Sequence, residues 1–259
     1  MTQFKAVVFD WAGTVIDFGS FAPMGAFVET FGKFGVEVTI ADARKPMGLP
    51  KRAHIAAMLA EPHVAARWQA AQGTLPDEAA IDRVYELFVP LNETVVTDYC
   101  ALVPGAIKTI EYLRERQMKI GSTTGYTRSI MQRVLPLAAE QGYAPDNLIC
   151  ADDLPLGRPT PIGMYKCFLD LMVYPASAVL KVDDTEPGIA EGAAAGCVTV
   201  GVTLSGNEAG LTSEELDALS PEARAALHKR IGEKLIAAGA DYVIETVADL
   251  PALIEELEG

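Results

Sequence analysis

The sequence has little cysteine and an excess of negative over positive charge. Its four cysteines in 259 residues form no CxxC pair or Cys/His cluster, which argues against a zinc site or a disulfide framework. Lys and Arg number 21 against 35 Asp and Glu, giving a net charge of −14. We therefore expect no nucleic-acid-binding surface and no binding to anionic membranes, because both need clustered cations. An anionic substrate would need positive potential from a metal, a helix N-terminus or a few placed cations.

Long apolar runs are also missing, and no basic-then-apolar leader precedes the first apolar segment. No run approaches the roughly 18 residues that a membrane-spanning helix needs. We therefore expect a cytoplasmic protein. Because 50% of the residues are hydrophobic and 22% are charged, a chain of this length can bury a substantial core, either as one large domain or as a core with an insert.

The first apolar segment, residues 4–14 with the sequence FKAVVFDWAGT, ends in an aspartate followed by a glycine turn. Val7, Val8 and Phe9 predict a strand that is buried on both faces, as in a central parallel sheet. Asp10 would then lie at the carboxyl end of the strand, where ligands bind in open α/β sheets. A carboxylate there could attack an electrophile or hold a metal, or it could only cap the next helix.

The segment from residue 20 to residue 100 predicts helices only. Four stretches carry helical spacing of apolar residues, namely residues 21–34, 50–60, 63–71 and 76–97. Thr39 and Asp42 resemble a helix-capping box. From residue 103 onward, helices alternate with short apolar strands, predicted at residues 118–122, 147–150, 178–182, 197–202 and 241–244. This alternation is typical of a parallel sheet with helices on both faces.

These patterns predict an α/β fold with two parts. The core is a Rossmann-like parallel sheet with helices on both faces, formed by residues 1–19 and 101–259. An all-helical domain, residues 20–100, is inserted after the first strand. The residues just beyond each parallel strand should therefore meet at one edge of the sheet.

Several polar residues follow the predicted strands. They are Asp10, Thr124 with Gly125 and Tyr126, Asp152 and Asp153, Arg158, and Asp183 with Asp184. Carboxylates from two strand ends, a hydroxyl leading into a helix and an arginine suit a phosphoryl group bound with Mg²⁺. Each residue also has a simpler interpretation: Thr124 as an N-cap, Arg158 as a surface ion pair, and Asp183 and Asp184 as turn formers.

The order and spacing of these residues resemble the haloacid dehalogenase superfamily. The four motifs correspond to Asp10-Trp-Ala-Gly-Thr14, Thr124, Arg158 and Asp184. The resemblance covers nearly the whole chain and implies that the helical insert is a cap over the active site. It also implies that Asp10 is a nucleophile that forms an aspartyl-phosphate. Mg²⁺ would be held by Asp10, the backbone carbonyl of Ala12 and Asp184.

Two departures from the superfamily pattern change the expected chemistry. Phosphatases of the superfamily usually carry an aspartate two residues after the nucleophile, where it protonates the leaving oxygen; this chain has Ala12. Simple ester hydrolysis is therefore disfavoured. A second acidic residue often stands four positions after the last motif, where this chain has Gly188, and Asp183 is a candidate to compensate.

The stretch MGLPKRAH in the insert offers a replacement for the missing acid. Lys51 and His54 are at positions i and i+3, on one face of a helix that Pro50 can start. Burial near a metal and Arg158 would lower the pKa of the lysine and make its amine a nucleophile. The alternative is an exposed helix with ordinary surface charges.

Five segments carry a closer resemblance when taken together, namely DWAGT, GSTTGYTR, GRPTP, VDDTEPG and ARKPMGLPKRAH. They resemble the phosphonatase family, which hydrolyses the C–P bond of phosphonoacetaldehyde. The resemblance implies a Schiff base between Lys51 and the aldehyde, so that carbon rather than oxygen leaves phosphorus. It assigns Thr124, Gly125 and Arg158 to the phosphoryl oxygens, and His54 and Tyr126 to proton transfer or orientation. Met47 and Gly48 would lie in the cap turn over the substrate, and Ser20 where cap meets core.

The resemblance also implies a homodimer and a small-molecule phosphonate substrate. Residues 21–34 are apolar on most of the helix circumference, which fits either a subunit contact through the cap or packing against other cap helices. Three alternatives to the phosphonatase activity stay open: a Mg²⁺-dependent phosphatase of another small metabolite, a dehalogenase in which an aspartate attacks carbon, and a non-enzymatic binder of a phosphorylated ligand.

Overall fold

The computed structural model describes residues 4–259, and within them five strands form one parallel sheet. The strands are β1 (Ala6–Phe9), β2 (Lys119–Ser122), β3 (Val179–Asp183), β4 (Val198–Val202) and β5 (Tyr242–Ile244). Their order is β2-β1-β3-β4-β5, with every neighbouring pair parallel. The direction of the chain across the sheet reverses between β1 and β3, which is where ligands bind in sheets of this kind.

Helices occupy the connections between these strands. Their bounds are α1 Ala22–Lys33, α2 Ile40–Arg44, α3 Lys51–Ala60, α4 Pro62–Gln72, α5 Glu78–Val95, α6 Ala106–Glu115, α7 Arg128–Glu140, α8 Ile162–Leu171, α9 Glu186–Ala195, α10 Ser213–Asp217, α11 Pro221–Ala237 and α12 Leu250–Glu258. The capping box predicted at Thr39 and Asp42 is present at the start of α2.

Side chains of β1 alternate between two apolar clusters, as the pleat of a strand requires. Val7 and Phe9 pack with residues of α6, α7 and α12 on one face. Ala6 and Val8 pack with residues of α8 and α9 on the other face. The sheet is therefore covered by helices on both faces, and the predicted α/β fold is confirmed.

Helices α1–α5 lie between β1 and β2 in the chain and form the helical insert. They have an apolar cluster of their own, which includes Phe27, Phe31, Met58 and Trp68. Met24, Ala26, Phe27 and Phe31 of α1 are buried within this cluster and Val28 is half-buried against it, whereas the exposed residues of α1 include Gly25, Glu29, Gly32 and Lys33. Packing inside the chain therefore accounts for the apolar circumference of α1, and the homodimer stays a prediction.

One predicted strand is wrong. Residues 147–150 run beside β2 but form only an isolated parallel bridge, between Thr123 and Ile149. The reason is that side chains replace the ladder: the Asp146 carboxylate accepts a hydrogen bond from the backbone N–H of Ile120 at 2.8 Å. Among residues 4–259, no helix is long and apolar enough to cross a membrane.

Candidate active site

A small cavity lies between the helical insert and the carboxyl ends of the strands. Ten of the twelve residues that the family resemblance assigns to the site line it: Asp10, Ala12, Ser20, Met47, Gly48, Lys51, Thr124, Gly125, Tyr126 and Arg158. Thr185 completes the lining. The remaining two, His54 and Asp184, are fully buried in the insert and in the core respectively.

Asp10 caps no helix. The first turn of α1 is capped by Asp17 instead, whose carboxylate accepts hydrogen bonds from the backbone N–H groups of Phe21 and Ala22, each at 2.9 Å. Asp10 is buried and ion-pairs with Arg158, with 2.8 Å between its Oδ1 and the guanidinium Nη1. Burial, with the nearby charge of Asp183, raises the pKa of Asp10 to about 6 against the opposing effect of Arg158.

Arg158 is buried rather than on the surface, and it joins Asp10 to a polar network in the core. Its Nη2 donates to the carbonyl and the hydroxyl of Thr123, both at 2.8 Å. Its Nε donates to Glu191 at 3.1 Å, and its Nη2 lies 3.3 Å from Asp183. These carboxylates hold the pKa of Arg158 above its usual range. The guanidinium is thereby fixed in position beside the cavity.

Lys181 is the second cation of this network, and nothing in the sequence interpretation assigned it a role. It lies in the middle of β3 with no exposed surface. Its Nζ is 2.9 Å from Asp183, 3.6 Å from Glu191 and 2.8 Å from the hydroxyl of Thr123. A lysine inside a fully buried strand requires such partners. A lysine within an apolar strand is therefore the sequence feature that could have indicated this buried network.

Asp184 lacks a cationic partner of this kind. Its two carboxylate oxygens accept hydrogen bonds from the Thr14 hydroxyl at 3.1 Å and the Asn207 backbone N–H at 2.7 Å. Burial and the negative charges of Asp10 and Asp183 raise its pKa well above the ordinary value. Carboxylate oxygens of the three aspartates lie within 4.8 Å of one another. Clustered oxygen ligands of this type could hold a hard divalent cation.

Lys51 begins α3 and is not a surface lysine, since only 3% of it is exposed. Its amine lies 5.0 Å from the ring centre of Tyr126 and 5.7 Å from that of Phe27. The amine also contacts the Met47 sulfur at 3.9 Å. Burial, assisted by the positive charge of Arg158 and opposed by Asp10, lowers the pKa of Lys51 to about 8.

His54 lies one turn further along α3 with a fixed tautomer. Its Nε2 is 2.8 Å from the carbonyl oxygen of Ala43. Because that oxygen only accepts, the proton belongs on Nε2. The ring stacks on Phe27 with 4.1 Å between centres, and its Nδ1 is buried without a partner. Burial and the charge of Lys51 place the pKa of His54 well below its ordinary value, so the ring is a neutral base.

Thr124 does not cap helix α7. The N-cap of α7 is Thr127, whose hydroxyl accepts from the Ile130 N–H at 3.4 Å. The Thr124 hydroxyl accepts from the Tyr126 N–H at 3.1 Å and lines the cavity. The Tyr126 hydroxyl is buried without a partner, and burial raises its pKa well above the ordinary value.

A tight turn brings the insert against the core at Gly48. Its φ of +89° is a conformation that suits glycine. A Cβ at this position would overlap the Thr185 side chain. Two other carboxylates predicted at the strand ends lie elsewhere: Asp152 and Asp153 are exposed and bind Arg128.

Comparison with known proteins identifies the family of this chain. The sequence signature of the haloacid dehalogenase-like hydrolases matches residues 4–196. This chain belongs to the haloacid dehalogenase-like hydrolase family. Among relatives, a phosphonoacetaldehyde hydrolase of Paraburkholderia phytofirmans is 50% identical, over 100% of this chain and 97% of that protein. One from Klebsiella pneumoniae is 45% identical, over 99% and 96%.

A solved structure resembles this haloacid dehalogenase-like hydrolase throughout. It is a phosphonoacetaldehyde hydrolase-like protein from Oleispira antarctica, with a TM-score of 0.96 and 42% identity, covering 98% of this chain and 92% of the other. A β-phosphoglucomutase-type structure from Thermotoga maritima, 18% identical with a TM-score of 0.62, shares the fold alone.

Proposed function

We propose that this hydrolase cleaves the C–P bond of phosphonoacetaldehyde to give acetaldehyde and phosphate. The observation that carries the proposal is the placement of the Lys51 amine in the same cavity as Asp10, with Ala12 where an acid would serve an oxygen leaving group. Relatives that share up to 50% of the sequence over its full length bear the name of this activity. A buried amine with a pKa of about 8 is a reactive nucleophile toward an aldehyde.

In the first step, the neutral Lys51 amine adds to the aldehyde carbon and expels water to form an imine. His54 lies one turn behind Lys51, and the free lone pair on its Nδ1 makes it the candidate proton carrier or orienting group on the insert side of the site. Tyr126, protonated over a wide pH range, orients the amine through its ring. Burial among aromatic and sulfur groups lowers the pKa of the amine and so raises its uncharged fraction, which favours attack.

In the second step, an oxygen of Asp10 attacks phosphorus. With the imine protonated, the electron pair of the C–P bond forms the C=C bond of an enamine on Lys51 while the C=N π pair moves to the nitrogen, and the phosphoryl group passes to Asp10 as an acyl phosphate. No oxygen leaves, so no acid is needed at Ala12. Protonation of the enamine carbon and addition of water release acetaldehyde, and a second water cleaves the acyl phosphate to phosphate. Thr124, the Gly125 amide and Arg158 hold the phosphoryl oxygens.

The buried charges fit one divalent cation. The network around Arg158 and Lys181, together with Asp184, contains four buried carboxylates and these two buried cations: Asp10, Asp183, Asp184, Glu191, Arg158 and Lys181. When all are ionised, two negative charges are left without a counter-charge, which is the charge of one Mg²⁺. Asp10, Asp184 and the Ala12 carbonyl would hold it. When bound, Mg²⁺ neutralises charge that develops on the phosphoryl group.

Residues 20–100 act as a cap domain on a catalytic core of residues 1–19 and 101–259. The separate apolar cluster of the insert supports this division. Closing the cap excludes water and brings Lys51 to the phosphonate, with the Met47–Gly48 turn over the substrate and Ser20 at the junction. The functional unit in the cell would be a cytoplasmic homodimer.

Product analysis tests the activity. Purified protein with Mg²⁺ should release acetaldehyde and phosphate from phosphonoacetaldehyde in equal amounts, and Asp10→Asn should abolish both. Ethyl phosphate tests the phosphatase alternative, and chloroacetate tests the dehalogenase alternative. Faster phosphate release from the ester, or chloride release from chloroacetate, would overturn the proposal. Undiminished turnover in the presence of a chelator would count against the metal.

A further inference from the structure

Arg44, the last residue of α2, fastens the helical insert to two segments of the core. Its Nη1 donates to the carbonyl oxygens of Gly19 at 2.8 Å and Asn207 at 2.9 Å, and to the Asn207 side-chain oxygen at 3.1 Å. The Asn207 amide nitrogen donates back to the Arg44 carbonyl at 3.1 Å. The guanidinium also lies 5.1 Å from the ring centre of Phe21. This reciprocal pairing joins residues that are 163 positions apart.

Asn207 connects this contact to the candidate metal site. It follows β4 in a loop and is only 3% exposed. Its backbone N–H donates to Asp184 Oδ2 at 2.7 Å, while the Thr14 hydroxyl donates to Oδ1. The Thr14 contact lies within the core, whereas Asn207 is held in place from the insert side. One oxygen of Asp184 is therefore oriented by a residue that the insert clamps.

We propose that Arg44 is a positioning residue that locks the closed cap onto Asn207 and so orients Asp184 for the divalent cation. The inference rests on the proposed function for its cation and its cap movement. It adds a residue of the insert to the determinants of metal binding, although that residue contacts neither the cation nor the substrate. Groups that orient metal ligands by hydrogen bonds commonly affect metal affinity strongly.

The charge of Arg44 and its positioning role predict opposite changes in cation affinity when the residue is replaced, and this makes the inference testable. The Arg44 charge interacts with Asp184, Asp17 and Glu208. Removing a cation near Asp184 makes the local potential more negative and should tighten binding of a divalent cation. A positioning role predicts weaker binding on the same substitution. The sign of the change in affinity therefore separates the two effects.

The test is titration of the metal-free protein with Mn²⁺, followed by electron paramagnetic resonance, with no substrate present. Arg44→Met should weaken Mn²⁺ binding about 10-fold, and Arg44→Lys, which keeps the charge and some donors, should lie between wild type and Arg44→Met. Asn207→Ala keeps the backbone N–H to Asp184 and the backbone carbonyl that Arg44 Nη1 contacts, but it loses the two side-chain bonds with Arg44, so it should weaken binding less than Arg44→Met does. Combined with Arg44→Met it should add less than its own effect, because both substitutions remove the bond between Arg44 Nη1 and the Asn207 side-chain oxygen.

Lys45→Met is the matched control, because Lys45 is the next residue and its exposed side chain pairs only with Glu61 among the contacts found. It should bind Mn²⁺ as wild type does. Unchanged or tighter binding in Arg44→Met, with an unchanged urea midpoint, would overturn the inference, and so would full additivity of the two substitutions. Turnover of phosphonoacetaldehyde by the wild type is scored separately, so failure of the proposed activity is distinguishable from failure of the Arg44 contact.

Discussion

The carboxylate of Asp183 fills the space that a side chain at Gly188 would need. A Cβ placed on Gly188 would overlap the carboxyl carbon and both oxygens of Asp183. The Asp183 carboxylate is held there by Lys181 at 2.9 Å and by the Thr185 hydroxyl at 2.7 Å. An acid at position 183 and any side chain at position 188 are therefore mutually exclusive in this arrangement. This gives a physical reason for glycine at position 188 in this chain.

Exchanging the two residues tests whether Asp183 compensates for Gly188. Gly188→Asp alone should inactivate the enzyme by overlap, and Gly188→Ala should be nearly as harmful. Asp183→Gly alone leaves Lys181 with fewer counter-charges and should lower Mg²⁺-dependent turnover at least 10-fold. The double variant Asp183→Gly/Gly188→Asp should recover part of that loss. If the double variant turns over substrate no faster than the worse single variant, Asp183 does not compensate for Gly188.

The pH profile should report the ionisation of Lys51. Its amine reacts only when neutral, and its pKa is lowered to about 8, so kcat/KM should rise with pH and level off above about 8. The Asp10 carboxylate reacts when ionised, and its pKa is about 6. Because a bound cation lowers this pKa further, the loss of activity on protonation of Asp10 occurs at lower pH than the titration of Lys51. Steady-state measurements of kcat/KM from about pH 5.5 to about pH 9.5 cover the ionisations of both groups and test this profile. A flat profile from pH 7 to 9 would contradict it.

An acid restored at position 12 should favour oxygen leaving groups. Ala12 lines the cavity two residues after Asp10. Ala12→Asp should raise hydrolysis of ethyl phosphate by about 100-fold, the usual contribution of a general acid. Ala12→Asn has the same size without the proton and should not gain this activity. Equal ester hydrolysis by the two variants would show that absence of the acid does not decide the leaving group.

Lys181 should be essential for folding stability as well as for geometry. Lys181→Met leaves Asp183 and Glu191 with Arg158 as the one cation of their network, and should lower the free energy of unfolding by about 3 kcal/mol. Urea denaturation measures the change. Lys166→Met, which breaks an exposed pair with Asp170, should change stability by less than about 0.5 kcal/mol. A similar small change for Lys181→Met would contradict the buried network.

The sequence was sufficient to predict most of the fold because local signals agree with it. Apolar Val7 to Phe9 predicted the buried strand β1, and helical spacing located the insert. The prediction of a strand at residues 147–150 was wrong because a short apolar run can lie beside a strand without forming a hydrogen-bonded ladder. The Asp146 carboxylate accepts a hydrogen bond from the backbone N–H of Ile120, and no local sequence pattern predicts this contact.

The candidate site was predictable where the residues belong to motifs at strand ends. Lys51 could be placed opposite Asp10 only through the family resemblance, because no local pattern shows which side of α3 faces the core. The contacts of Arg44 with Asn207 and of Lys181 with Glu191 were missed, since they depend on how distant segments pack. A lysine inside the apolar strand β3 was the one available hint.

Reductive trapping tests whether Lys51 forms an imine with the substrate. The protein is incubated with phosphonoacetaldehyde, reduced with borohydride and digested, and the peptides are analysed by mass spectrometry. We expect a reduced two-carbon adduct on Lys51, with loss of activity, and no adduct in Lys51→Arg. Normal turnover with no adduct on Lys51, or an adduct on another lysine that tracks the loss of activity, would contradict the assignment of the carbon leaving group to a lysine in the cap.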